Sequence, residues 1–192
     1  AAIVPVTVGT CLAFNAGEFD AIPALLCLVF ALLVQIGANF ANDYYDQRRG
    51  ADTVQRLGPV RTVASGLILP SALRRATAAV LVLAFLVGLG LLPYGGWKLL
   101  VVGMVSLICA ITYTGGPFPL AYLGLGDLFV VGFFGLVSVG FTYFVQTGEF
   151  TGDAWLAGLA VGLVVNNLLV VNNYRDVEED RRSGKKTLAV RL

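Results

Sequence analysis

The sequence predicts an all-α, polytopic transmembrane helical bundle, and three observations predict it. Of its 192 residues, 57% are hydrophobic and only 13% are charged, about half the charge of a soluble domain. Mean hydropathy is +0.81, and several runs approach the ~20 apolar residues that a spanning helix requires. The charges are gathered into a few clusters between those runs. A soluble protein with an outsized core would need charged faces on its helices, and these are missing.

Six apolar segments follow one another: 1–14, 22–44, 73–92, 97–113, 123–146 and 154–174. Each is expected to be helical, because backbone hydrogen bonds inside lipid must close within the segment. The first is too short to cross alone and is expected to be part of a helix. The second ends in an acidic cluster. The third opens on Arg74 and Arg75, which suit topology anchors. The breakers at 93–96 separate it from the fourth, and "GGP" at 115–117 precedes the fifth. The sixth ends abruptly in "NNYRDVEEDRRSGKKTLAVRL". The only Met is Met104. With the short first segment, that leads us to expect a single transmembrane domain over 1–192 that is a processed or trimmed piece of a longer chain.

Placing the loops on alternate sides puts 46–72, 114–122 and 175–192 together. That side, with its helix ends, holds twelve of the thirteen Lys and Arg residues; the other holds only Lys98. Such asymmetry places the large loops in the cytoplasm. The outer loops instead carry Glu18, Asp20, Glu149 and Asp153. Glycines recur within the segments, Gly158 and Gly162 with GxxxG spacing; tight helix packing accounts for them.

Histidine is absent, which removes the commonest general base and most zinc chemistry. Cys11, Cys27 and Cys109 stand singly in apolar runs, too scattered for a metal site or a disulfide framework. The remaining chemistry lies in two acidic clusters at cytoplasmic segment ends. In "NFANDYYDQRRG", from Asn39, Asn42 and Asp46 are four residues apart; Asn172, Asp176 and Asp180 repeat that interval. Residues at i and i+4 share a helix face, so each cluster presents a column of oxygen ligands. Oxygen donors without His or Cys suit Mg²⁺, which is held by one or two carboxylates with phosphates and water. The neighbouring cations make sense if a diphosphate bridges metal and guanidinium. A solvated helix end is the alternative for either cluster alone; two on one side, each with Asn one turn before Asp, favour a shared site. Gln35, Asn39, Asn166 and Asn167 lie in or near apolar runs, where they line a polar cavity or bond between helices.

"NDYYDQRRGADTVQRLGPVRTVASG" and "NNYRDVEEDRRSGKKTLAVRL" resemble the two aspartate-rich signatures of the UbiA-type intramembrane prenyltransferases. They are most similar to its menaquinone branch, which uses 1,4-dihydroxy-2-naphthoate. "YTGGPFPLAYLGLGDLFV" resembles the connection between that family's fourth and fifth helices. The wider superfamily often has a third Asp where this chain has Gly50; the naphthoate branch usually has Gly there too.

The resemblance implies nine helices around a cavity open to lipid, about six of them present here. It implies an integral protein of the bacterial inner membrane, with Mg²⁺ as cofactor and polyprenyl diphosphate and an aromatic acceptor as partners. The bilayer is the third partner, and no nucleic acid is expected. Asn42, Asp46, Asp176 and Asp180 then become metal ligands, the three aspartates catalytic. Arg48, Arg61 and Lys185 become diphosphate ligands. Asn39, Asn173 and Tyr113 become acceptor-pocket residues, with Asp127 either a further site residue or a helix-start polar contact.

Overall fold

The structure, a computed structural model, describes residues 1–51 and 62–192. Six apolar helices appear where the sequence predicts them: α1 (Ile3–Asn15), α2 (Ala21–Arg48), α3 (Pro70–Leu89), α5 (Trp97–Thr112), α6 (Gly126–Thr147) and α7 (Gly152–Arg175). Three short helices join them: α4 (Leu92–Gly95), α8 (Val177–Ser183) and α9 (Leu188–Arg191). There is no strand among the described residues. The chain is an integral membrane protein, and α2, α3, α6 and α7 are long and apolar enough to cross a bilayer. At 13 and 16 residues, α1 and α5 fall short of the ~20 needed. Ahead of α5 the chain turns at Gly96, whose φ of 64° favours glycine.

Helix α2 continues beyond its predicted end at 44 to Arg48, 28 residues in all. At 1.5 Å per residue it is longer than the ~30 Å hydrocarbon core. Its last turns therefore carry Asn42, Asp43 and Asp46 out on one continuous helix. Two of the four acids in the loops expected outside serve helix starts. Asp20 caps α2 by accepting from the backbone of Ile22, and Asp153 lies in the first turn of α7 beside the Thr151 cap, where negative charge meets the positive end of the helix.

Helix α2 packs along α3, and α6 along α7. In α6, residues Val131–Val137 form a π-helical stretch, a widening of the turn that often marks functional sites. Here it carries Phe133 and Phe134 to the wall of the central cavity. The wide turn rests on glycines of α7. A Cβ added at Gly162 would lie 2.7 Å from the Val131 carbonyl oxygen and 3.1 Å from Gly135 Cα. Both obstacles are backbone and yield only if the helices separate. Gly162→Val is expected to destabilise the α6–α7 pair by roughly 1–3 kcal/mol or more. A thermal melt in detergent micelles checks this, and an unchanged midpoint would contradict it.

Candidate active site

A cavity of about 740 Å³ opens between the helices. Apolar side chains from the helices form much of its wall, among them Phe30, Phe85, Leu99, Phe133 and Phe141. Its polar part comes from the end of α2, the α7–α8 junction and the turn after α8. There the two acidic motifs meet. The Lys185 ammonium donates to Asp46 Oδ2 at 2.8 Å and lies 3.6 Å from Asp180 Oδ1. Asp46 and Asp180 are 3% and 6% exposed, so this bridge between residues 139 positions apart is screened from water.

Local chain geometry places each partner. Helix α7 stops at Arg175, and Asp176 forms the junction into α8. The predicted single helical column is therefore interrupted. Its spacing nevertheless survives, because the amide of Asp176 bonds the Asn172 carbonyl and that of Asp180 bonds the Asp176 carbonyl. Gly184, at φ 79°, ends α8 in the left-handed conformation and turns Lys185 back onto Asp46. Asp176 accepts two bonds from Arg175, at 2.6 and 2.8 Å, a planar fork fitted to a carboxylate. Glu178, exposed, pairs with Arg181, while Glu179 is half-buried.

The 113–125 connection closes over both motifs. Tyr122 donates its hydroxyl to Asp46 Oδ1 at 3.0 Å, and its ring lies 5.2 Å from the Lys185 ammonium and 4.8 Å from the Arg49 guanidinium. Its carbonyl accepts from the Lys186 amide, and Leu123 accepts from Arg191. Thr114 donates to Asn42 Oδ1 at 2.8 Å. Asp43, 7% exposed, accepts from the amide and hydroxyl of Thr62; its Oδ1 is buried without a partner among the described residues.

Burial holds Asp180 above the usual carboxylate range, reinforced by the charges of Asp176 and Asp46 and opposed by Lys185. Tyr122 is also raised, chiefly by burial and then by the charge of Asp46, with Arg49 opposing, so it stays a neutral donor. At the bridge two carboxylates, Asp46 and Asp180, face the single Lys185 ammonium, and this crowding of acids is what raises Asp180 beyond the effect of burial. Among the described residues no three acidic side chains form a ready-made metal cage. Mg²⁺ does not require one, since phosphate and water oxygens complete its shell. An oxygen-only donor set in which two carboxylates share one ammonium fits a divalent ion presented together with a diphosphate.

Of the residues selected from sequence, Asn42, Asp46, Asp176, Asp180, Lys185, Asn39, Asn173, Tyr113 and Asp127 all line the cavity. Arg48 is not brought there. It sits exposed at the end of α2, over the Tyr44 ring and donating to its hydroxyl, because Lys185, Tyr122 and Asp46 fill the inner face of that turn. Arg61 lies outside the described residues. Of the amides, Gln35 lines the cavity and accepts from the Ala2 amide, Asn166 bonds Asp127, and Asn167 is exposed. Sequence reasoning missed Tyr122, Thr114, Asp43 and the Arg175 fork. The first two sit in a connection without periodicity, where nothing local says which side chain turns inward.

Over residues 2–192 the chain matches the UbiA prenyltransferase family. It belongs to that family. It is 41% identical over 197 residues to the 1,4-dihydroxy-2-naphthoate octaprenyltransferase of Escherichia coli (strain K12), covering 100% of this chain and 64% of that protein. The enzyme of that name from Haemophilus influenzae is 37% identical, over 100% of this chain and 65% of its own length. The one from Bacillus subtilis (strain 168) is 34% identical, over 99% and 61%. The chain therefore spans a little under two thirds of these UbiA relatives, and the part it spans contains both acidic motifs and the connection that joins them.

Proposed function

We propose that the protein transfers a polyprenyl group from polyprenyl diphosphate to 1,4-dihydroxy-2-naphthoate, with release of diphosphate and CO₂, giving the hydroquinone form of demethylmenaquinone, which a separate two-electron oxidation converts to the quinone. One observation carries this reading: the acidic motifs of α2 and α8 close on Lys185 beside a large, mainly apolar cavity. A substrate with a diphosphate head and a hydrocarbon tail matches both halves. The family membership and the printed names of the relatives support the acceptor.

In this arrangement Lys185 and Arg175 bind the diphosphate, exchanging their present carboxylate partners for phosphate oxygens. Asn42, Asp46, Asp176 and Asp180 would hold Mg²⁺, which supplies charge neutralisation for the departing diphosphate. Tyr122 and Thr114 keep Asp46 and Asn42 oriented toward it. The apolar wall takes the prenyl chain and limits water near the allylic carbon. Asn39, Asn173 and Tyr113 line the space for the acceptor, whose electron-rich ring attacks that carbon. A catalytic histidine is not required, because the hydroxyls activate the ring. The bias of Lys and Arg to one side supports a polar end of the cavity that faces the cytoplasm, and the bacterial relatives support an inner-membrane location.

The test is product formation by the full-length protein in lipid nanodiscs, with Mg²⁺, the naphthoate and a series of prenyl diphosphates. Prenylated naphthohydroquinone, read as the quinone after air oxidation, is expected with CO₂ release, lost on chelation by EDTA and restored by Mg²⁺. No product from the naphthoate, with turnover of hydroxybenzoate or homogentisate instead, would overturn the acceptor assignment.

A further inference from the structure

The α6 start carries an acid that the diphosphate chemistry leaves unused. Asp127 is in the first turn of α6, is half-buried and lines the cavity. Its Oδ1 accepts from Asn166 Nδ2 of α7 at 3.0 Å. A carboxylate cannot donate, so the amide must present its NH₂ to Asp127. That orientation leaves Asn166 Oδ1 buried with no partner among the described residues. An unmet buried acceptor is destabilising, so the pair is costly as a packing device alone. A leucine in place of Asn166 would fill an apolar helix more cheaply.

Asp127 also faces the reacting region. A Cβ at its neighbour Gly126 would lie 2.9 Å from the Tyr113 hydroxyl, so that glycine lets Tyr113 approach the α6 start. Tyr113 in turn lies within electrostatic reach of Asp127, Asp46 and Asp180. Asp127 thus shares the cavity and the neighbourhood of Tyr113 with the diphosphate-side acids. Among the described residues Asp127 makes no ion pair with Lys or Arg, unlike Asp46 and Asp176.

We propose that Asp127, held by Asn166, is the group that takes the hydroxyl proton of the aromatic acceptor during transfer. This rests on the prenyltransferase reading above. As the acceptor O–H bond breaks, its proton passes to Asp127 Oδ2 and the electron pair enters the ring. The ring carbon forms a C–C bond to the allylic carbon, whose C–O bond breaks with its pair to the diphosphate. For an acceptor substituted at its carboxyl-bearing carbon, the C–CO₂ bond then breaks. Its pair restores the aromatic ring, and the oxygen recovers the proton from Asp127. The proton is borrowed and returned, so no further reactant is needed.

The experiment uses the full-length enzyme in nanodiscs, with Asp127→Asn and Asn166→Ala. Asp127→Asn keeps the shape and can still accept from Asn166, so folding is preserved. It is expected to lower kcat/KM for the acceptor about 100-fold or more, the range of a general base. The Kd for prenyl diphosphate, measured by calorimetry, should stay within about twofold. Acceptors made more acidic by electron-withdrawing substituents should recover part of the lost rate in the variant relative to wild type, a response that a purely structural residue would not give. Asn166→Ala should lose activity in the same direction by a smaller factor. Wild-type kcat/KM in Asp127→Asn, equal weakening of both substrates, or a variant-to-wild-type ratio independent of acceptor acidity would each overturn the proposal. If the wild-type enzyme prenylates no hydroxyaromatic acceptor, the functional reading fails, and this inference fails with it for a separately visible reason.

Discussion

Asp46→Ala is expected to lower prenyl transfer by at least ~10³-fold while the protein still folds and inserts. The loss is large because Asp46 connects three elements of the site: it accepts from Lys185, accepts from Tyr122, and faces the second motif. Removing one preorganised charge contact typically costs ~10²–10³-fold, and on the proposed site a metal-ligand oxygen goes with it. Folding survives because the partners are not orphaned. Lys185 retains Asp180 at 3.6 Å, and the Tyr122 ring still lies against Arg49. Asp176→Ala should behave alike, releasing Arg175 toward solvent or phosphate. The measurement is the initial rate at saturating Mg²⁺, on material shown monodisperse by size exclusion. Transfer within tenfold of wild type in either purified variant would overturn the shared metal-site assignment.

The sequence made the fold legible because the lipid core leaves helices as the only option for long apolar runs. All six runs became helices, and the i, i+4 spacing put Asn42 and Asp46 on one face of α2. What spacing could not supply was the chain direction after each helix. Nothing local to "DRRSGKK" says that Lys185 rather than Arg181 turns inward. Gly184 decides it, because its left-handed conformation ends α8 and reverses the chain. Arg48 shows the opposite failure. It lies two residues from Asp46, and such proximity in sequence suggests a shared site. A helix rotates 100° per residue, so two positions on it faces away. Tyr122 was hidden for a third reason: its partner is 76 positions distant and its connection has no repeat to betray a facing side. Spacing could be read where helical periodicity set it; Lys185, placed by a turn, was reached only through the family resemblance, and Tyr122 was not reached at all.

Lys185→Met is expected to separate binding from stability in one substitution. The Lys185, Asp46 and Asp180 side chains are 13%, 4% and 9% exposed, so deleting the cation leaves two buried carboxylates facing each other. Removing one partner of a buried pair costs roughly 3–5 kcal/mol, and a fall in Tm of about 10 °C follows. The pH dependence gives the sign. Asp180 is raised in the folded protein above its ordinary value of 3.8. Its contribution to stability is therefore fully present below that value and is lost as pH rises through the folded one. Lys185 opposes this rise, so its removal moves the folded value further up. The variant should lose more stability than wild type between acid and neutral pH. Mg²⁺ supplies the missing positive charge, so it should raise the Tm of Lys185→Met by more than it raises that of wild type. Affinity for prenyl diphosphate should nevertheless stay reduced, because the metal replaces the charge between the carboxylates but not the donor to the phosphate. A variant with wild-type Tm and wild-type pH slope would show that Lys185 does not hold the two motifs together. A variant destabilised as expected but binding prenyl diphosphate normally would confine Lys185 to that structural bridge.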